Sequence, residues 1–206
     1  MRIGLLADTH VPYRAAAIPK QVLTALRGVD LILHAGDVDE PWALAPLQQL
    51  APVHAVRGNY HILDGSSGGA ELPPSVEITA AGFRIAMTHG HQLGWLTPFW
   101  RIYVTWRNMG GQWRTPAYDA ALVRALLRRF PQADIIVFGH THRFYQEWRG
   151  DTLLINPGAA LATAYFDPPF RPSVACLTLS SGVRPVVERL EVSDRVVGAL
   201  SREVDE

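Results

Sequence analysis

Short apolar runs in this chain of 206 residues each end at a small cluster of histidine, aspartate or asparagine residues. In chain order the clusters are D-T-H at 8–10, H-A-G-D at 34–37, R-G-N-Y-H at 57–61, T-H-G-H at 88–91 and G-H-T-H at 139–142. Seven of the eight histidines lie in them. Coordination of a metal by nitrogen and oxygen donors would explain this grouping. The alternative is a coincidence of core histidines that are held by hydrogen bonds.

The first half of the chain alternates predicted strands with predicted helices. Strands are expected at 2–7, 30–34 and 53–56, and helices at 19–27 and 41–50. Such alternation is typical of parallel strands joined by right-handed crossovers. The carboxyl ends of the three strands then lie along one edge of a sheet, which is where ligands bind in folds of this kind.

The second half contains mostly adjacent strands. A hairpin is predicted from strands 76–79 and 83–88, with its turn ending at Gly82, and is followed by an amphipathic helix at 119–129 and a strand at 134–138. Strands at 144–148, 152–155, 173–179 and 183–190 are predicted to form a meander, and a last helix should begin at Ser193. We expect an α/β fold of two sheets packed face to face with helices outside, forming a single domain over 1–206.

Composition limits the classes of partner. Lys plus Arg equals Asp plus Glu at 19 each, and the pI is near 7.1, so no strong global field favours nucleic acid or anionic lipid. Cys176 is the only cysteine, which excludes an internal disulfide and fits a small core residue in a reducing cytosol. No stretch approaches the roughly 20 apolar residues of a membrane span, and the start M-R-I-G does not resemble a signal peptide. We therefore expect a cytoplasmic protein.

The clusters contain the donors that a pair of metal ions needs. Two cations 3.5 to ~4 Å apart require one carboxylate that reaches both, with separate donors for each. Asp37 is the natural bridging ligand, because it follows Gly36, where a missing side chain lets the ions approach the backbone. Asp8 and His10 are two residues apart on a segment predicted to be extended, so they should point to the same side and share one ion.

The remaining donors complete the predicted site. His140 and His142 repeat the spacing of the first cluster, but the turn between them allows one to face each ion. Asn59 and His89 add neutral donors for the second ion. Mixed His, Asn and Asp donors favour Mn as the activating metal, while Zn, Fe, Co and Ni fit the same set.

The ordered series D-x-H, G-D, G-N, H-G-H and G-H-T-H, with N-P-G-A-A at 156–160, resembles the calcineurin-like metallophosphoesterase superfamily, in its small single-domain phosphodiesterase branch. The resemblance covers most of the chain. It implies a four-layer fold, in which a two-sheet sandwich is flanked by helices, and two bound divalent ions. It assigns one ion to Asp8, His10, Asp37 and His142, and the other to Asp37, Asn59, His89 and His140.

One departure from the family pattern concerns the proton donor. Members often have His or Cys and then an acidic residue after G-N, whereas this chain has Tyr60 and His61. The group that protonates the leaving oxygen is therefore either His61 or His91. Tyr60 could donate a hydrogen bond to phosphate, but its high pKa makes it a poor acid. Arg57 could clamp the phosphate or be structural.

Three further side chains have alternative interpretations. Asn59, besides its role as a ligand, is predicted to contact the substrate phosphate together with Arg57 and Tyr60. His34 lies inside an apolar strand and is read as a core histidine in preference to a support of the metal ligands. His54 is read as structural.

Residues 92–118 form an aromatic-rich insert that contains four of the six tryptophans. A helix is predicted to begin at Thr97 and Pro98 and to end at Gly110 and Gly111. Packing of its aromatic face on the core is the favoured interpretation. The alternatives are a cap beside the metals that stacks a base or an aryl group, and an exposed patch that forms a homodimer interface.

These patterns together predict a hydrolase with a dinuclear metal site. The expected reaction is cleavage of a small phosphate diester by in-line attack of a metal-bridging hydroxide. A rival function is suggested by the eukaryotic retromer scaffold subunit, which has the same fold and chiefly binds proteins; its ligand set is eroded, whereas every ligand position here holds a competent donor. A second rival is a nuclease, which the balanced charge makes less favoured.

Overall fold

The computed structural model describes residues 1–59, 69–91, 99, 102–103, 106, 116–161 and 171–192. In these residues the strands are β1 (Arg2–Leu6), β2 (Leu31–His34), β3 (Val53–Ala55), β4 (Ser75–Ala80), β5 (Phe83–Thr88), β6 (Ile135–Val137), β7 (Phe144–Arg149), β8 (Thr152–Pro157), β9 (Ser173–Ser180) and β10 (Val183–Glu191). The α-helices whose bounds the structure describes are α1 (Lys20–Ala25), α2 (Ala45–Gln48) and α3 (Pro116–Arg129). In this described part of the chain, no helix combines the length and apolar character needed to cross a membrane.

The first sheet has the strand order β10-β9-β1-β2-β3. The pairs β1–β2 and β2–β3 are parallel, as the alternation of strands and helices predicts. Strands β9 and β10 are antiparallel to each other and join the sheet through β1. The carboxyl ends of the three parallel strands consequently lie along one edge.

The second sheet has the order β4-β5-β6-β8-β7. The predicted hairpin of β4 and β5 is confirmed, and β5, β6 and β8 pair in parallel. The predicted meander is wrong: β7 and β8 form a hairpin in this sheet, while β9 and β10 form another in the first sheet. Alternation of apolar residues predicts strands, but it does not specify which sheet each strand joins.

Apolar side chains fill three layers of core. The sheets pack face to face over residues such as Leu5, Ile85 and Leu177. Helices α1 and α2 cover the outer face of the first sheet, and α3 covers that of the second. The predicted fold of two sheets flanked by helices is confirmed, and Cys176 is a buried core residue as expected.

The second helix is more broken than the sequence pattern predicts. The expected helix at 41–50 is a 3-10 turn over Pro41–Leu44 followed by the short α2. Pro46 is in the first turn of α2, and in one continuous helix from Pro41 it would have no N–H to donate to the Trp42 carbonyl and its ring would crowd that oxygen. The helix predicted from Ser193 lies outside the described residues.

Candidate metal centre

Strand ends from both sheets meet at one edge of the fold, and the predicted ligands lie there. The first sheet supplies its ligands after β1, β2 and β3, and the second sheet after β5 and β6. These ligands are Asp8, His10, Asp37 and Asn59 from the first sheet, and His89, His140 and His142 from the second.

One group of donors contains Asp8, His10, Asp37 and His142. One candidate ligand atom from each lies within 4.8 Å of all the others. His10 Nε2 is 3.3 Å from Asp37 Oδ2, and His142 Nε2 is 3.4 Å from Asp8 Oδ1. The first three residues are buried, and 14% of the His142 side chain is exposed. This group coincides with the first ligand set that the family resemblance implies.

A second group of donors surrounds Asn59. Its Oδ1 atom is 3.0 Å from His89 Nε2 and 3.1 Å from His140 Nδ1. His89 Nε2 is also 3.4 Å from Asp37 Oδ1. The two carboxylate oxygens of Asp37 therefore face different groups, Oδ2 toward His10 and Oδ1 toward His89.

The chemistry of these side chains fits a pair of divalent cations. Asp8 Oδ2 is buried and has no hydrogen-bond partner among the described residues. A buried carboxylate oxygen is costly unless a donor or a cation balances it. Carboxylate, imidazole and amide donors together suit borderline or hard divalent metals.

The backbone at the ligands differs from the prediction. Asp8 and His10 do not lie on an extended segment, because their φ angles are +57° and +47°. Asp37, His140 and His142 also have positive φ, at +57°, +71° and +56°. Side chains on left-handed residues project away from the strand direction, which brings them together at the edge. Each such residue costs on the order of 1–3 kcal/mol, which the surrounding structure must offset.

Two glycines allow the close approach of the ligands. A Cβ atom at Gly36 would lie 2.6 Å from His89 Nδ1. A Cβ atom at Gly58 would overlap the Asp37 carboxylate, which accepts a hydrogen bond of 2.9 Å from the backbone N–H of Asn59. Gly36 thus lets the His89 ring approach the backbone beside Asp37, and Gly58 lets the Asp37 carboxylate approach the backbone beside Asn59.

Charge and burial set the pKa values of the centre in the metal-free protein. Burial lowers the pKa of His89, but the nearby Asp37 carboxylate outweighs it and raises that pKa to about 9. Burial, helped by the charge of His89, lowers the pKa of His140 to about 3. Burial alone would raise the pKa of Asp8, yet the charge and hydrogen bond of His142 hold it below its usual range.

Contacts behind the ligands orient their rings. His89 Nδ1 donates to the Ala35 carbonyl oxygen at 2.9 Å, which leaves Nε2 directed at Asp37 and Asn59. Asp39, which was not among the predicted site residues, is buried, and its Oδ1 is 3.5 Å from His10 Nδ1. Asp39 lies two residues after Asp37, the same spacing as that of Asp8 and His10, and this spacing could have indicated it as a site residue.

His34 also lies behind the centre. It is fully buried, and its Nε2 is 3.0 Å from Thr9 Oγ1, between the ligands Asp8 and His10. The expectation of a core histidine is therefore correct for its burial, and its contact adds support to the D-T-H segment. His54 is exposed on β3.

Among the residues predicted to transfer a proton or contact the substrate, the structure describes His91, Arg57 and Asn59. The His91 ring centroid is 5.4 Å from that of His89 and 6.3 Å from that of His140. His61 and Tyr60 lie outside the described residues. Arg57 is half-buried directly before Gly58, and its contact with phosphate stays a prediction, as does that of Asn59.

Three described residues of the aromatic insert do not pack on the core. Phe99, Ile102 and Trp106 are helical and are 65%, 69% and 68% exposed, so the expectation that this face packs on the core is wrong for these three residues. The cap and homodimer interpretations stay predictions. The other tryptophans of the insert, Trp95, Trp100 and Trp113, lie outside the described residues.

A family model and three known proteins are similar to this chain in sequence or fold. A model of the calcineurin-like phosphoesterase superfamily domain matches residues 1–182. A probable metallophosphoesterase of Methanothermobacter thermautotrophicus is 34% identical over 168 residues, or 82% of each chain. Vps29 of Entamoeba histolytica, solved in complex with zinc, shares the fold with a TM-score of 0.63 and 24% identity, over 94% of this chain and 100% of that one. A predicted phosphoesterase of Streptococcus pneumoniae has a TM-score of 0.59 and 21% identity, over 92% and 88%.

Proposed function

Because the chain belongs to the calcineurin-like phosphoesterase superfamily, we propose that it is a hydrolase that cleaves phosphate diesters with two divalent metal ions. One observation carries the proposal. The two oxygens of Asp37 lie 3.3 Å from His10 Nε2 and 3.4 Å from His89 Nε2, as a carboxylate shared by two ions requires.

The proposed ligand sets share Asp37. One ion would be held by Asp8, His10, Asp37 and His142, and the other by Asp37, Asn59, His89 and His140. A bound pair of divalent ions would acidify water and neutralise the charge that develops on the phosphoryl oxygens.

The chain itself orients the ligands and moves the proton. The Ala35 carbonyl holds the His89 ring by accepting from Nδ1, and Asn59 keeps its backbone N–H on Asp37. We assign protonation of the leaving oxygen to His91, which the short distance between its ring and His89 supports. His61 is the alternative acid.

Mn is the metal proposed to activate the enzyme, because the donors are a mixture of imidazole, amide and carboxylate. Zn, Fe, Co and Ni are compatible with the same donors. The zinc complex of the Entamoeba Vps29 supports Zn as the second choice, since that protein shares the fold.

A protein-binding scaffold is the main rival, and the resemblance to Vps29 over nearly the whole chain favours it. Against it stands the complete set of candidate donors, because every predicted ligand position holds a side chain that can bind a metal. A nuclease is disfavoured by the equal numbers of acidic and basic residues.

The test measures hydrolysis and metal content in the same preparations. Purified protein is assayed with bis(p-nitrophenyl) phosphate, a 2′,3′-cyclic nucleotide and single-stranded DNA, each with Mn and with EDTA. Asp37→Ala is compared with Asp151→Asn, which changes an exposed turn residue away from the centre.

We expect hydrolysis of the diesters to depend on Mn and the protein to bind two ions per chain. The rate of hydrolysis should fall at least about a thousand-fold in Asp37→Ala, in line with the several kcal/mol that a metal pair contributes. Asp151→Asn should match the wild type. Two bound ions without hydrolysis would support the scaffold, and cleavage of DNA alone would support the nuclease.

The assignment of the acid is tested separately. His91→Ala should slow hydrolysis of a diester with a poor leaving group by about 10²-fold or more, and should affect p-nitrophenyl esters much less, because only a poor leaving group needs a proton. The control is His54→Ala on the exposed face of β3. Equal effects of His91→Ala on both esters would exclude it as the acid.

A further inference from the structure

A cleft of about 680 Å³ extends from the metal centre to the edge strands of the two sheets. It begins at His142, passes the start of β7 at Phe144, and reaches Arg189 and Glu191 on β10. Cavities of roughly 300–1,000 Å³ hold drug-sized ligands. The cleft is therefore large enough for a substantial group attached to a phosphate that is bound beside His142.

The positive and negative charges of the side chains that line the cleft do not cancel. Arg143 and Asp119 form a one-to-one ion pair, with Nη2 2.5 Å from Oδ1. Glu191, in contrast, is shared: its Oε2 is 3.2 Å from Arg171 Nη1, and its Oε1 is 3.7 Å from Arg189 Nη1. Among the described residues that line the cleft, one positive charge is therefore in excess.

Arg189 is held in place by three contacts. Its guanidinium lies over the Phe144 ring at 5.4 Å from the centroid, and Nη2 donates to the Arg171 carbonyl oxygen at 3.3 Å. With the long contact to Glu191, these fix the plane of the guanidinium while 35% of its side chain stays exposed. A planar guanidinium that is already oriented loses less entropy when it binds an anion.

We propose that this cleft binds one substituent of the phosphodiester substrate, and that this substituent carries a second anionic group, such as a further phosphate, which Arg189 contacts. The proposal rests on the proposed function, because the scissile phosphate must lie at the metal centre beside His142. It names a substrate class: phosphodiesters with an additional phosphate or carboxylate, in preference to simple dialkyl or diaryl esters.

The test uses two esters that differ only in the second anion. These are thymidine 5′-(p-nitrophenyl phosphate) and the same compound with a phosphate on its 3′ oxygen. Release of p-nitrophenolate is followed in Mn-loaded wild type, Arg189→Met and Arg184→Met. Arg184 is the matched control, because it also lies on β10 and stacks on an aromatic ring, Trp148 at 4.3 Å, but does not line the cleft.

In wild type, we expect kcat/KM to be at least about ten-fold higher for the 3′-phosphorylated ester than for the ester without that phosphate. A charge-assisted hydrogen bond from Arg189 to the 3′ phosphate predicts this difference. Arg189→Met should reduce this ratio to near one, while Arg184→Met should keep it. A ratio near one in the wild type, or a ratio that Arg189→Met leaves unchanged, would overturn the proposal.

A binding measurement separates failure of the cleft from failure of the proposed function. Thymidine 3′,5′-bisphosphate and thymidine 5′-monophosphate are titrated calorimetrically into each protein. The bisphosphate should bind at least about ten-fold tighter than the monophosphate in wild type and Arg184→Met, but not in Arg189→Met. If neither ester is hydrolysed, the proposed function fails, and equal binding of the two nucleotides to wild type would then also reject the cleft.

Discussion

At the scale of single residues, the metal centre depends on backbone conformations that its side chains disfavour. Asp8, His10, Asp37, His140 and His142 all have positive φ. Left-handed backbone costs a residue with a Cβ on the order of 1–3 kcal/mol relative to the ordinary regions. The ligands therefore hold a strained geometry before any metal binds, and part of the stability of the fold maintains it.

This strain predicts that, at Asp8, a glycine variant is more stable than an alanine variant. Asp8→Gly and Asp8→Ala both remove the ligand, but glycine adopts the φ of +57° without a steric penalty. In metal-free protein, Asp8→Gly should have a free energy of unfolding about 1 kcal/mol higher than Asp8→Ala, measured by urea denaturation. At the neighbouring Thr9, which is not among the residues of positive φ, the alanine variant should be the more stable one. The same order at both positions would contradict the role of strain.

His34 predicts a dependence of stability on pH. Burial lowers the pKa of His34 to about 4, from an ordinary value of 6.5. Between these values the unfolded chain binds the proton that the folded protein does not, so the free energy of unfolding rises with pH. His34 should account for on the order of 3 kcal/mol between pH 4 and 6.5 in metal-free protein.

Denaturation of wild type, His34→Gln and His54→Gln at several pH values checks this contribution. The slope of the free energy of unfolding against pH should decrease in His34→Gln, whatever its absolute stability. His54→Gln, which changes an exposed residue, should keep the slope of the wild type. An unchanged slope in His34→Gln would show that the pKa of His34 is the same in the folded and unfolded protein, and would contradict the lowering by burial.

At the scale of elements, the end of β8 supports the loop that carries two ligands. Asn156 Nδ2 donates to the Gly139 carbonyl oxygen at 2.7 Å and to Thr141 Oγ1 at 3.1 Å. Its Oδ1 accepts from the backbone N–H of Gly158 at 2.9 Å. The N-P-G motif, which had no role in the sequence analysis beyond family resemblance, is thus a structural support of the G-H-T-H loop.

Replacement of Asn156 should weaken both the loop and the metal site. Asn156→Asp keeps the shape and the acceptor for Gly158, but replaces the donor to Gly139 with a buried carboxylate oxygen that faces the Gly139 carbonyl. We expect a loss of at least about 3 kcal/mol in the free energy of unfolding, because a buried charge costs more than a lost neutral hydrogen bond, and weaker binding of Mn, measured by denaturation and calorimetry. Thr141→Val removes the weaker contact and should have the smaller effect. Equal metal affinity in Asn156→Asp and wild type would contradict the supporting role.

At the scale of the whole molecule, the centre joins the two sheets. The first sheet supplies Asp8, His10, Asp37 and Asn59, and the second supplies His89, His140 and His142. Since each proposed ligand set draws from both sheets, bound metal would link them. Metal binding should then stabilise the entire fold in addition to the edge where the ligands lie.

Thermal unfolding tests this link. Excess Mn should raise the midpoint of unfolding, since a ligand at 100 times its dissociation constant adds about 2.7 kcal/mol per site to the folded state. Asp37→Ala should lose most of the rise, whereas Asp151→Asn should keep it. A midpoint that Mn does not change in the wild type would exclude metal binding by the folded protein.

Partners and location are also properties of the whole molecule, and they stay proposals. The exposed Phe99, Ile102 and Trp106 are consistent with a homodimer interface, and the balanced charge with a small phosphate ester as the substrate. The cytoplasmic location expected from the sequence stays a prediction.

The sequence by itself was sufficient for the parallel order of β1 to β3, for the hairpin of β4 and β5, and for candidate ligands that the structure brings to one edge. Strand periodicity is a local property, and a histidine or aspartate at the end of an apolar run is visible in one dimension. The ordered motifs added the family, which assigned Asp8, His10, Asp37 and His142 to one group before the structure brought them together.

Only the tertiary structure decided what depends on contacts between distant segments. It separated β7 and β8 from β9 and β10 into different sheets, gave Asp8 and His10 their left-handed backbone, and placed Asp39 behind His10. The same holds for the cleft at Arg189, whose lining comes from α3, β7 and β10. Local patterns cannot encode these features, because they depend on packing between distant segments. Packing between the sheets supplies the energy that selects a strained backbone, and it decides which arginines contact the same carboxylate.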